Sequence, residues 1–179
     1  MPEDENIHEL GSGRFLRLVA RDTWEYVYRT GDVRVVIVVA VTDSAELVLV
    51  EQFRPSVGTQ IIELPAGLAG DEPGLESETL EEAAGRELLE ETGFEAHAIR
   101  HLTSGPVSPG ITNEEVSFFH ATGLRKVGEG GGTVDENITV HVVPLTEVER
   151  WAKARSSNGV KVDLKVYAGL YFAGKGLSV

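Results

Sequence analysis

Apolar and polar side chains partly alternate from Arg14 to Ala20 and again from Thr23 to Arg29, and Gly31-Asp32 follows with turn chemistry. The chain therefore opens, after a polar start, as a meander of strands. Val35 to Val41 is almost wholly β-branched and reads as a buried central strand, with Glu46 to Phe53 a second strand beyond the Asp43-Ser44 turn and Ile61 to Leu64 a short third. Glycines, prolines and acids between Pro65 and Gly74 predict a loop. A helix follows: Thr79 and Glu82 stand at capping-box spacing, Leu80, Ala83, Ala84 and Leu88 form an apolar stripe, and Gly93 sits where a glycine ends a helix. Strands resume around Ala96 to Leu102, Val116 to Ala121 and Ile138 to Val143, with loops over Pro106 to Asn113 and Lys126 to Asn137. Thr146 and Glu149 predict a further capped helix through about Ala154, and Asp163 to Ala173 a closing one. This order predicts an α+β fold, an α/β/α sandwich with a mixed central sheet and an N-terminal β meander. Residues 1–33 read as an N-terminal β extension and 34–179 as the main domain.

Composition removes several classes of function. No run approaches the roughly 18 apolar residues of a membrane span, and the start MPEDENIHEL is too acidic and polar for a secretory signal, so a cytoplasmic protein with no membrane partner is expected. The absence of cysteine excludes thiolate metal sites and cysteine nucleophiles, leaving oxygen and imidazole to hold any ion. A formal net charge of -13 argues against nucleic acid, whose backbone needs clustered Lys and Arg. An acidic chain can bind a polyphosphate only through cations. The five histidines show no ligand spacing and read as structural or exposed.

The informative segment is Gly85-Arg86-Glu87-Leu88-Leu89-Glu90-Glu91-Thr92-Gly93-Phe94. At about 100° per residue, Glu90 and Glu91 lie within roughly 60° of Glu87 around a helix, so three carboxylates share one side. Like charges so placed repel by a few tenths of a kcal/mol per pair, which a divalent cation with oxygen preference would offset. Taken alone, the string also reads as a solvated face with Arg86 as partner for Glu82 or Glu90.

The wider pattern resembles the signature of the Nudix hydrolases, G-x5-E-x7-R-E-U-x-E-E-x-G-U with U bulky and aliphatic. Glu78, Arg86, Glu87, Leu88, Glu90, Glu91 and Gly93 match in register, and Phe94 fills the last slot with an aromatic. The first glycine departs from it: Glu72 stands at that place, and Gly67 serves only if the intervening loop is five residues longer than usual. The resemblance implies that Glu87 and Glu91 bind metal directly, that Glu90 lies on or near a metal, and that the Ala66 carbonyl is a further ligand. Two to three Mg2+ or Mn2+ ions per site are implied, with Glu78 and Arg86 supporting the carboxylates.

From Trp24 to Phe172 the chain is also similar to the ADP-ribose pyrophosphatase subfamily, in Trp24-Glu25-Tyr26-Val27, Glu51-Gln52-Phe53-Arg54-Pro55, Glu63-Leu64-Pro65-Ala66-Gly67 and Ser108-Pro109-Gly110. By that likeness Trp24 stacks on adenine, Arg54 contacts the diphosphate or terminal ribose, and Glu25, Pro109 and Gly110 join the substrate site. Arg29 resembles a residue that reaches the substrate of the other subunit of a homodimer. Each residue alone has a plainer reading: Trp24 as a rim aromatic, Arg54 as a strand-end arginine, Pro109 as a turn former. Gly128, Gly130, Gly131 and Gly132 lack the Lys-Ser/Thr pair of a phosphate loop and read as a mobile surface loop. Just beyond, Glu136 takes the place of a loop glutamate that activates water, with Asp135 beside it. The expected activity is metal-dependent hydrolysis of ADP-ribose, with a nucleotide sugar such as GDP-mannose, or a non-catalytic nucleotide sensor, as the alternatives.

Overall fold

The computed structural model describes residues 6–31, 34–70, 74–132 and 137–175. Its strands are β1 (Ile7–Ser12), β2 (Leu16–Arg21), β3 (Trp24–Arg29), β4 (Arg34–Ala40), β5 (Glu46–Arg54), β6 (Thr59–Glu63), β7 (Ala66–Ala69), β8 (Phe94–Glu95), β9 (Ala98–Pro106), β10 (Glu115–Thr122), β11 (Arg125–Lys126), β12 (Thr139–Pro144) and β13 (Lys161–Val162). The helices are α1 (Leu80–Thr92), α2 (Val148–Ser157) and α3 (Leu164–Gly174). Strands β1-β2-β3 form an antiparallel meander, while the sheets β7-β4-β10-β9 and β12-β5-β6-β13 are mixed, with β4 parallel to β10 and β6 parallel to β13.

Strand β4 shows why the molecule is layered. Its side chains alternate, so Val36, Val38 and Ala40 face Ala83, Ala84 and Leu88 of α1, while Ile37 and Val39 join Val148 of α2 and Val166 of α3. A strand apolar on both sides must be covered on both, and the result is the α/β/α sandwich with mixed sheets expected from the sequence. No helix among the described residues is long and apolar enough to cross a membrane.

Helix α1 begins where the sequence placed it: the Thr79 side chain accepts from the Glu82 amide and the Glu82 carboxylate accepts from the Thr79 amide, a pair worth about 1 kcal/mol. It ends at Gly93 in the left-handed conformation, φ 70°. The second expected capping box does not form. The Glu147 amide donates to the Pro144 carbonyl at 2.8 Å, and this turn delays α2 to Val148 without a side-chain cap.

Two segments read as loops are ordered differently. Ala66–Ala69 is strand β7, paired antiparallel with β4, because its backbone completes the edge of that sheet despite Gly67. The glycine run is not a free surface loop in its described part. Gly131 donates to the Glu91 carbonyl at 2.8 Å and Gly132 to the Glu90 carbonyl at 3.0 Å, closing carbonyls that the end of α1 leaves open. Strand β1 was hidden in the polar start, since its residues are almost all exposed and carry no apolar alternation.

Candidate active site

Helix α1 lies against β7, and their contact makes the centre of the site. The Ala66 amide donates to Glu91 Oε2 at 3.0 Å and the Leu68 amide to Glu87 Oε1 at 3.2 Å. A Cβ added to Gly67 would stand 1.9 Å from the Glu87 carboxyl carbon, so the bare backbone at this position is what admits that carboxylate. Glu91 is 4% exposed. Burial pushes the Glu87 carboxyl above its ordinary range, with the opposing effect of Arg86 second in size.

Arg86 is the hub of the acidic face. It makes a bidentate contact with Glu78, Nε to Oε1 at 2.9 Å and Nη2 to Oε2 at 3.1 Å. Nη1 donates to Glu87 at 2.9 Å and to Glu90 at 3.3 Å, and Nη2 also to the Leu68 carbonyl at 2.9 Å. The hydrogen bonds to Glu78 are the largest cause of the raised Arg86 pKa, so the guanidinium stays charged under all conditions of interest. One cation thus fixes three carboxylates and the β7 backbone. Glu82 is not among its partners, being spent on the helix cap.

A cavity of about 490 Å³ opens on this contact. Of the residues singled out in the sequence, it is lined by Ala66, Glu87, Glu91, Arg29 and Arg54. Arg29 pairs with Glu114 at 2.6 Å and Arg54 with Glu63 at 2.7 Å, so each arginine is held at the wall by a carboxylate. Glu90 does not line the cavity and is half-exposed on the Arg86 side of α1. Trp24 and Pro109 share a neighbouring groove of about 460 Å³ with Tyr26 and Tyr28, and Trp24 is 59% exposed. Glu25 and Gly110 are exposed and line neither space. Glu136 and Asp135 lie outside the described residues.

Glu63, Gln52, Glu114 and Lys165 also line the central cavity; the first two stood in the sequence only as members of the subfamily stretches, with no role of their own, and the last two were not singled out. A carboxylate closing the apolar run Ile61-Ile62-Glu63 was a legible signal, because a buried acid needs a partner. Glu114 and Lys165 carried none, as both reach the cavity only through tertiary packing.

Among the described residues, no three His, Asp or Glu side chains are gathered closely enough to hold a metal ion. The donor set nevertheless fits a hard divalent cation: two mostly buried, acceptor-only carboxylates, Glu87 and Glu91, meet a backbone strand on one cavity wall, with Gly67 leaving room for the first. A buried carboxylate whose charged form is disfavoured gains from such an ion.

A family profile described as NUDIX domain matches residues 31–162. The ADP-ribose pyrophosphatase of Bacillus subtilis is 39% identical over 113 residues, 62% of this chain and 57% of that protein. The methanol dehydrogenase activator of Bacillus methanolicus is 36% identical over 113 residues, again 62% and 57%. The GDP-mannose pyrophosphatase of Citrobacter koseri is 36% identical over 110 residues, 56% and 54%. The chain thus spans little more than half the length of the curated relatives it matches. A crystal structure of an ADP compounds hydrolase superposes with a TM-score of 0.70 at 20% identity, covering 97% of this chain and 95% of that one, a likeness of fold.

Proposed function

Because this chain belongs to the Nudix family, we propose that it is a pyrophosphohydrolase that converts ADP-ribose and water to AMP and ribose 5-phosphate. The observation that carries this reading is the one cavity lined both by Glu87, Glu91 and β7 residues and by Arg29 and Arg54. Carboxylates alone would repel a diphosphate and arginines alone would only bind it. Brought to one cavity, they suit an anion bound together with its counter-cations.

Divalent cations, Mg2+ or Mn2+, two to three per site on Glu87, Glu90, Glu91 and the Ala66 carbonyl, would neutralise the pyrophosphate and make water more acidic. The chain's own residues do the rest. Trp24 stacks the adenine, with Pro109 beside it in the same groove. Arg54 and Arg29 hold the diphosphate against the acidic wall, their forks kept in place by Glu63 and Glu114. Arg86 sets the carboxylate positions without touching substrate. Glu136 takes the proton from the attacking water as the new P–O bond forms and the bridging P–O bond breaks.

The likeness to a GDP-mannose pyrophosphatase supports the second reading, a different nucleotide sugar in the same site. Initial rates with ADP-ribose, GDP-mannose, diadenosine polyphosphates and coenzyme A, in Mg2+ and in Mn2+, separate them. ADP-ribose is expected to give the highest kcat/KM; a clear preference for GDP-mannose would replace it, and no turnover of any would favour a nucleotide sensor. We also place the protein in the cytoplasm as a homodimer joined through the 1–33 extension, where Leu10, Phe15, Leu16 and Leu18 are exposed. Arg29 lines the cavity of its own chain, so a partner would chiefly add cover over Trp24.

A further inference from the structure

Helix α1 carries Glu90 and Glu91 in its last turn, where the final four carbonyls of a helix have no partner within the helix. Here each of the four is met. The Gly93 amide donates to the Leu89 carbonyl at 2.7 Å, Gly132 to Glu90 at 3.0 Å and Gly131 to Glu91 at 2.8 Å. The fourth, the Thr92 carbonyl, accepts from the Lys126 ammonium group at 2.7 Å. The last turn of α1 has no basic residue of its own, so this lysine of β11 supplies the positive charge that the negative end of a helix dipole favours. Strand register brings it there. β11 pairs antiparallel with β8 so that Lys126 stands opposite Phe94, and the ammonium nitrogen lies 4.9 Å from the centre of the Phe94 ring. Phe94 is the place where the signature has a bulky aliphatic residue and this chain has an aromatic. An aliphatic side chain would fill the same core but offer a cation no π face. The ammonium group also donates to the Glu129 carbonyl at 3.3 Å, in the turn that leads to Gly131 and Gly132. Two carbonyls and an aromatic face thus surround one cation.

We propose that Lys126, seated on the Phe94 ring, is a positioning residue for the metal site: it locks the last turn of α1 so that Glu90 and Glu91 present their carboxylates to a divalent cation in a fixed place. The proposal rests on the hydrolytic reading above for what that cation does. Lys126 does not line the central cavity, so its effect passes through α1. The sign of that effect separates position from charge. A positive charge near a cation site opposes binding, so its removal would tighten binding if charge alone counted. Where the lysine holds the ligands in place, its removal weakens binding, because the carboxylates must then be ordered by the ion itself.

The test is Mn2+ binding to the substrate-free protein, read from the electron paramagnetic resonance signal of the free ion, with thermal unfolding followed on the same samples. Lys126→Met is expected to raise the Mn2+ Kd about tenfold, as loss of outer support for metal ligands does. Lys126→Arg, whose guanidinium can reach the same carbonyls and ring, should restore it to within about threefold. Phe94→Leu should weaken binding about threefold on its own and add nothing in the Lys126→Met background, because the ring acts through the lysine. Unchanged or tighter Mn2+ binding by folded Lys126→Met overturns the proposal, whatever its Tm, since a lysine that only stabilises the fold would lower Tm and leave Kd alone. Absence of Mn2+ binding by wild-type protein overturns it together with the metal reading. AMP release from ADP-ribose is followed separately: if Mn2+ binds with the expected order among the variants and no AMP appears, the hydrolytic reading fails and Lys126 keeps its role.

Discussion

A methyl group on Gly67 and the carboxyl group of Glu87 cannot occupy the same place, and this clash is useful because Glu87 is a flexible side chain that can swing away. Gly67→Ala should leave the fold nearly as stable, within about 1 kcal/mol, while lowering kcat for ADP-ribose by roughly a hundredfold or more through displacement of that carboxylate. Thermal unfolding and steady-state rates on one preparation check it; full activity would show that Glu87 need not sit where the structure puts it. At the same scale, Glu136→Gln should lower kcat by about 10² to 10⁴ with KM little changed, as loss of a general base does. Asp135→Asn, the adjacent acid, is the control. A large kcat loss in the Asp135 variant alone would reassign the base by one residue.

Among the elements, the C-terminal end of α1 depends most on its surroundings. Gly130 has φ 73°, and a Cβ on it would lie 2.4 Å from the Thr92 carbonyl carbon, against backbone that cannot swing aside. Gly159 has φ 87° with nothing within 4 Å of an added Cβ. Gly159→Ala should therefore cost about 1 kcal/mol and Gly130→Ala clearly more, roughly 3 kcal/mol, read by denaturant unfolding. Equal losses would mean that the glycine run does not clasp the helix. The contrast also explains what the sequence revealed and what it hid. Helix α1 and strand β4 were legible because caps, apolar stripe and β-branched run are local signals. The clasp was not: glycines hydrogen-bonded to a helix end about forty residues earlier look, locally, like any loop. In the site, Arg54, Glu87 and Glu91 stood out by motif and Glu63 closed a legible apolar run, whereas Glu114, which holds Arg29, emerges only when the segment before β10 meets the cavity.

For the whole molecule, the meander is joined to the main body where the Val27 amide donates to the Ile111 carbonyl at 2.8 Å and Arg29 pairs with Glu114. Leu16 and Leu18 lie two apart on β2 and are both exposed, so they share one outward face. Light scattering at assay concentration should give twice the chain mass for wild-type protein and the chain mass for Leu16→Lys/Leu18→Lys. A fully active wild-type monomer would remove the dimer from the account.

The central claim is that buried carboxylates of α1 carry the hydrolysis of a pyrophosphate bond. It is tested most directly by the kcat for release of AMP from ADP-ribose by Glu87→Gln and Glu91→Gln at saturating Mg2+, with folding checked by circular dichroism. Each variant is expected to lose about a hundredfold or more of kcat while remaining folded, Glu87→Gln with unchanged or higher stability at neutral pH because it removes a charge that burial disfavours. Near-normal AMP release by either folded variant would contradict the claim.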